Sequence, residues 1–208
     1  MNSRSEPKRR TQARSVQNAG GASILVWLFA AAACAASSTT DPATGPRDLR
    51  WATPLDEPSL PNLHRVSDVL YRGAQPDDDA GFVELKRLGI KTVVNLRAFH
   101  SDRSETAAQD LGYEHISMKA WHPEDEDVVR FLQIVTDPTK APIFVHCQHG
   151  ADRTGVMTAI YRIIVEGWSK EAAIEEMTRG GFGFHSIWTN LIDYVEDLDV
   201  SKFKDVSH

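Results

Sequence analysis

The chain has little cysteine: among its 208 residues only Cys34 and Cys147. Two cysteines that far apart exclude a disulfide-dense scaffold and a zinc site built on paired cysteines. Long apolar runs are also missing. The stretch from Ile24 to Ala36 holds thirteen apolar residues, short of the roughly 20 that a membrane-spanning helix needs. Positive charge is not in excess either. With 23 Lys+Arg against 29 Asp+Glu the formal charge is −6, which argues against nucleic acid as a partner, since that requires a basic face. There are no internal repeats, so solenoids and propellers are excluded.

What the chain does have is concentrated in Val145-His146-Cys147-Gln148-His149-Gly150-Ala151-Asp152-Arg153-Thr154-Gly155. Ile143 to Val145 is a continuous apolar run, the pattern of a strand buried in a parallel sheet. Val156, Met157, Ala159, Ile160, Ile163 and Ile164 recur at helical spacing. Between strand and helix, Gly150 lets the backbone reverse, so that successive N–H groups converge on an anion at the helix N-terminus. Converging amides, a helix N-terminus and a guanidinium are the surroundings that favour a thiolate, here at Cys147. Arg153, six residues on, carries a planar fork that holds two phosphoryl oxygens at once. Gln148, His149, Gly150, Ala151, Asp152 and Thr154 supply the rest of the anion cradle, with His149 turned outward at its mouth. The Thr154 hydroxyl is placed to hydrogen-bond a departing sulfur, and His146 is expected under the loop as its support. Metal ligation by His146, Cys147 and His149 is the competing reading, but strand and loop aim these side chains apart and no second Cys or His pair completes a set.

This segment resembles the His-Cys-x5-Arg-Thr signature of cysteine-dependent protein tyrosine and dual-specificity phosphatases. Val69-Leu70-Tyr71-Arg72-Gly73-Ala74-Gln75-Pro76, followed by Leu88-Gly89-Ile90-Lys91-Thr92-Val93-Val94-Asn95-Leu96-Arg97, is similar to the start of atypical dual-specificity phosphatases of plants, fungi and bacteria. The likeness runs from about Leu63 to Leu198. It implies a phosphomonoester hydrolase acting through a phosphocysteine intermediate, without a cofactor or metal, on a phosphorylated protein or a small phosphomonoester. Such chemistry needs an acid for the leaving oxygen. Asp152 is one candidate, as in a subset of the superfamily with Asp at this place; its other reading is a cap for the following helix. Asp125, in Trp121-His122-Pro123-Glu124-Asp125-Glu126-Asp127, is the second, and it suits equally the first turn of a helix. Arg97 falls at the carboxyl edge of its strand, as a clamp for the phosphate loop or a surface ion pair. His185, after Gly180-Gly181-Phe182-Gly183, lies where related phosphatases position the water of the second step, or is a loop histidine. A rhodanese-like sulfurtransferase and a non-catalytic pseudophosphatase are the rival classes.

The overall pattern predicts strands at 66–71, 91–96, 113–117 and 142–146, with helices at 78–88, 103–111, 124–136, 154–166, 169–179 and 187–198. Strands alternating with helices indicate an α/β fold, a mostly parallel sheet of four to five strands flanked by helices. The expected boundaries are an export segment at 1–36, a flexible linker at 37–61, the phosphatase domain at 62–200 and a loose tail at 201–208. Arg4, Lys8, Arg9, Arg10 and Arg14 precede the apolar run, as in an export signal. Ala31-Ala32-Ala33-Cys34 resembles a bacterial lipoprotein box, which implies lipidation at Cys34, a membrane tether and a periplasmic or other extracytoplasmic location. Simple cleavage near the alanines, or an uncleaved anchor, remain as alternatives. Without Met1 to Ala33 the chain has 18 basic and 28 acidic residues, a formal charge of −10.

Overall fold

The computed structural model describes residues 47–206; the export segment, Cys34 and the linker up to residue 46 lie outside the described residues. Two short strands, β1 (Thr53–Pro54) and β2 (His64–Arg65), pair antiparallel and lead into β3 (Leu70–Gly73). Helix α1 (Asp79–Arg87) connects to β4 (Thr92–Asn95), α2 (Arg103–Ala108) to β5 (Gly112–His115) and α3 (Asp125–Val135) to β6 (Ile143–His146). Then follow α4 (Asp152–Ile164), α5 (Lys170–Arg179), α6 (Thr189–Glu196) and a 3₁₀ stretch, Val200–Val206. The strand order is β1-β2-β3-β6-β4-β5, with β3, β6, β4 and β5 parallel.

The α/β class and parallel core agree with expectation; the sheet has six strands because the two short antiparallel strands extend one edge. The strand expected over 66–71 is broken by a turn, in which the N–H groups of Val66 and Ser67 both reach Leu70 O. Side-chain alternation assigns the two faces of the sheet. Ile143 and Val145 of β6 and Val94 of β4 join the larger core with α3 to α6, while Phe144 and Val93 face Leu60, Phe82 and Leu85 on the α1 side. Helix α1 is started by Asp78, whose carboxylate accepts from Ala80 N at 2.8 Å, and ends with Lys86 and Arg87 in its last turn, where cations suit the dipole. Helix α4 is buried almost all round, which fits its central place between sheet and helices.

Two boundaries differ from those expected. The packed domain reaches back to residue 47 instead of starting at 62: Ala52 and Leu60 are buried. The reason lies in α4. Arg162 is buried with Glu176 in a two-pronged ion pair at 2.8 Å for each prong, and a buried pair needs its remaining groups hydrogen-bonded. Residues 50–52 supply them: Ala52 N–H donates to Glu176 Oε1 at 2.6 Å, and Arg50 O accepts from Arg162 at 3.2 Å. At the other end, the tail after 200 is coiled and docked through Phe203, which is 1% exposed; burial of an aromatic ring outweighs the freedom a loose tail would keep.

Candidate active site

Strand β6 sits between β3 and β4 and ends in His146; residues 147–151 then form the loop that opens into α4. The helix begins at Asp152, two residues earlier than expected, so Asp152, Arg153 and Thr154 form its first turn. The first helical bond runs from Gly155 N–H to Ala151 O at 2.9 Å, and the amides before it have no partner within the helix. Gly150 adopts φ +67°, and a Cβ there would meet the Gly73 carbonyl carbon at 2.3 Å. Only glycine lets the loop lie this close to β3.

Four successive loop carbonyls are drawn outward by four different partners. Cys147 O faces His146 Nδ1 at 3.2 Å, Gln148 O accepts from Gln75 N at 3.3 Å, His149 O from Asn62 Nδ2 at 2.9 Å, and Gly150 O from Arg72 at 2.6 Å. With its acceptors turned away, the loop presents amides to its interior, the arrangement of an anion nest. Cys147 is 2% exposed at the base of this loop and is a free thiol.

Beside the loop lies a cleft of about 270 Å³ lined by Arg97, Ala98, Phe99, Met118, Lys119, Ala120, Trp121, Gln148, Arg153 and Trp188. Arg153 reaches toward Leu96 O and Met118 O at 3.3 and 3.4 Å. These fix the guanidinium at the end of β4. Arg97 is a cleft residue, not a surface ion pair: its guanidinium donates to Gln75 Oε1, and its N–H to Asn95 Oδ1 at 2.7 Å.

His146 is fully buried with Nε2 3.0 Å from Asp102 Oδ2, which also accepts from Asn95 Nδ2 at 2.5 Å. Burial pushes the Asp102 carboxyl up, but hydrogen bonding and charge from His146, with His100 and Asn95, hold it below its ordinary value. The expected support under the loop is thus a buried Asp–His pair. Thr154 Oγ1 is buried with no hydrogen-bond partner among the described residues. Asp152 does not cap α4: its carboxylate accepts from His185 N and from His185 Nδ1, each at 2.9 Å. The rings of His149 and His185 stand 5.6 Å apart at the loop's outer side.

Asp125 is not brought to the cleft, which corrects its candidacy. At the start of α3 it binds Lys202 Nζ and Tyr194 Oη at 2.9 Å each, and these hydrogen bonds hold its carboxyl below the usual range. Its place in the first helical turn, read from the acidic run, is the one it occupies. Nor do His146, Cys147 and His149 converge on a metal: among the described residues no three His, Cys, Asp or Glu side chains are grouped to hold one.

Several site residues were not expected. Arg72, Asp102, Asn95, Gln75 and Asn62 hold the loop, while Phe99, Lys119, Trp121 and Trp188 rim the cleft. Arg72 carried a readable signal, a charge inside a strand otherwise buried; Asp102 and Asn62 carried none.

A parallel α/β sheet that delivers a buried thiol into an amide-lined loop, with a guanidinium from the following helical turn lining the cleft beside it, is the arrangement of a cysteine-dependent phosphatase. The family model described as "DSP-PTPase phosphatase fused to NAD+ Kinase" matches residues 57–191. The dual specificity protein phosphatase TpbA of Pseudomonas aeruginosa (strain UCBPP-PA14) is 38% identical over 156 residues, 74% of this chain and 70% of that protein. The crystal structure of P. aeruginosa TpbA superposes with TM-score 0.68 at 35% identity, covering 77% of this chain and 98% of that one, and a variant of it in complex with phosphotyrosine gives the same score at 34% identity. The catalytic core of the PP-IP phosphatase SIW14 of S. cerevisiae, at 22% identity and TM-score 0.63, shares the fold. The chain belongs to the DSP-PTPase phosphatase family, and it is a phosphomonoester hydrolase of the dual-specificity type.

Proposed function

We propose that the chain dephosphorylates phosphotyrosine-bearing protein, with Cys147 as nucleophile, Arg153 as phosphoryl clamp and Asp152 as acid. The observation that carries the residue roles is the set of four outward carbonyls, which leaves the loop interior to amides beside the thiol. Sulfur attacks phosphorus, the amides and Arg153 take the charge on the equatorial oxygens, and Asp152, steadied by His185, protonates the leaving oxygen. Water then splits the phosphocysteine. Thr154 Oγ1, buried and without a hydrogen-bond partner among the described residues, is available to the departing sulfur.

The substrate preference rests on the rim. Phe99, Trp121 and Trp188 line the cleft and offer apolar and aromatic surface to an aryl ring. The loop side chains Gln148, His149 and Ala151 include no lysine or arginine for additional phosphates. The phosphotyrosine bound to TpbA supports the same choice.

The basic segment and apolar run of residues 4–36, with Cys34 at a lipoprotein-like position, support export and a membrane tether in a bacterium. Among the described residues no helix is long and apolar enough to cross a membrane.

The test is trapping with Cys147→Ser, followed by identification of the retained phosphoproteins, beside turnover of phosphotyrosine, phosphoserine and phosphothreonine peptides. Retention and fastest turnover of phosphotyrosine peptides are expected. Equal rates on all three would remove the tyrosine preference, and turnover of thiosulfate but of no phosphoester would return the rhodanese-like reading. Labelling with a lipid precursor, with and without Cys34→Ala, tests the tether.

A further inference from the structure

Arg72 lies on β3, in register with Val145 of β6, two residues before Cys147. It is fully buried. A buried cation is ordinarily matched by a hydrogen-bonded carboxylate, because an unmatched charge away from water is strongly unfavourable. Among the described residues Arg72 has no such match. One Nη2 bond goes to Gly150 O at 2.6 Å, while Nε and Nη1 have no hydrogen-bond partner among the described residues. The guanidinium carbon stands 3.8 Å from the centroid of Phe182, whose face stabilises a cation only in part.

The charged and titratable groups that act on it are few. Glu176 of α5 is the nearby carboxylate, but both its oxygens are committed to Arg162 and Ala52 N. Arg162 of α4 and His64 of β2 add like charge or none, and Cys147, two residues past the register partner of Arg72 on β6, is where a further negative charge would stand. Burial pushes Arg72 down to about 10, so it keeps its proton at neutral pH.

We propose that Arg72 is a positioning residue whose charge is balanced by the anion in the phosphate loop, the Cys147 thiolate in the free enzyme and thiolate plus phosphoryl group in the complex. It acts through the loop, by holding the Gly150 carbonyl outward and by placing a fixed positive charge behind the amides. Arg153 grips oxygens from the cleft side, and Arg72 supplies the field from inside the sheet. This rests on the phosphatase reading, and its test uses anion binding and thiol reactivity, neither of which needs turnover.

The experiment compares Arg72→Lys, Arg72→Gln and Arg72→Met in the full chain. Glutamine keeps a donor for Gly150 O but no charge; lysine keeps the charge without the fork. The readouts are orthovanadate affinity and the pH dependence of Cys147 alkylation by iodoacetamide, with circular dichroism as the check on folding. If charge is what matters, Arg72→Gln binds vanadate about tenfold more weakly and its alkylation midpoint moves to higher pH, while Arg72→Lys stays near wild type in both. If Arg72→Gln matches wild type in both, the proposal is overturned and Arg72 is only a brace for Gly150. Should Arg72→Gln not fold, Arg72→Met is read the same way: unchanged affinity and midpoint overturn the proposal, and losses spared in Arg72→Lys support it. A wild-type chain that binds no vanadate would instead count against the phosphatase reading itself.

Discussion

Asp152 accepts two hydrogen bonds from a single residue, His185, one from its main-chain N–H and one from its ring, both at 2.9 Å. The contact joins the first turn of α4 to the connection after α5, so the carboxylate cannot swing away to cap its own helix. Asp125 is likewise held by two partners, Lys202 and Tyr194, but at the start of α3, whereas Asp152 directly follows the phosphate loop.

The acid assignment follows from that difference. Asp152→Asn is expected to lower kcat on aryl phosphates with poor leaving groups by about 10²–10⁴-fold, the usual share of a positioned acid, with less effect as the leaving group becomes more acidic. Asp125→Asn should leave kcat close to wild type and reduce thermal stability slightly. A leaving-group series on both variants checks this; the reverse ranking would reject Asp152.

Gly150→Ala should be severe for a steric reason. Its Cβ would lie 2.3 Å from the Gly73 carbonyl carbon, and the positive φ adds strain of about 1–3 kcal/mol. The loop has to leave β3, which loosens the Arg72 contact at Gly150 O. Loss of measurable turnover together with a lower urea midpoint is expected, and wild-type kcat with wild-type stability would show that the close approach is dispensable.

Glu176→Gln tests the pair that holds the N-terminal segment. Arg162 and Glu176 are 2% and 1% exposed, and removing one partner of a buried pair costs about 3–5 kcal/mol. Chemical denaturation should show a loss of that order, and limited proteolysis should cut earlier within residues 47–61. Stability within about 0.5 kcal/mol of wild type, the range of an ordinary surface change, would mean the pair is not what docks this segment.

Asp102 gives a pH-dependent prediction. Its folded carboxyl is held below the ordinary value, so its stabilising contribution is complete above the unfolded value of about 3.9 and fades as pH falls through the folded one. Asp102→Asn should therefore be markedly less stable than wild type near neutrality, with the gap closing in acid. Urea midpoints at about pH 7 and pH 3 check the sign; a gap that does not change with pH would mean that the loss is steric.

Much of the site is legible locally. Cys147, Gly150 and Arg153 fall within one strand–loop–helix unit, so their spacing alone states how they meet, and the alternation of strands and helices states the class of sheet. What is not legible is whatever approaches from elsewhere in the chain. Asn62 holds His149 O across 87 positions and Asp102 meets His146 across 44; no periodicity connects such residues. The proline-rich stretch before residue 62 reads as linker because its few apolar residues have no period, yet Ala52 and Leu60 are fixed by partners on α5 and α1 that sequence order keeps distant. Asp125 shows the converse: its acidic neighbours state a helix start correctly and say nothing of the cleft.

The four tethers on carbonyls 147–150 come from residues 62, 72, 75 and 146, that is, from the loop before β2, from β3, from the turn after β3, and from β6 itself. Chemistry is thereby made answerable to distant parts of the architecture. On gentle warming, turnover should fade while ellipticity still looks native, because each fastening is a single contact that can open before the sheet melts.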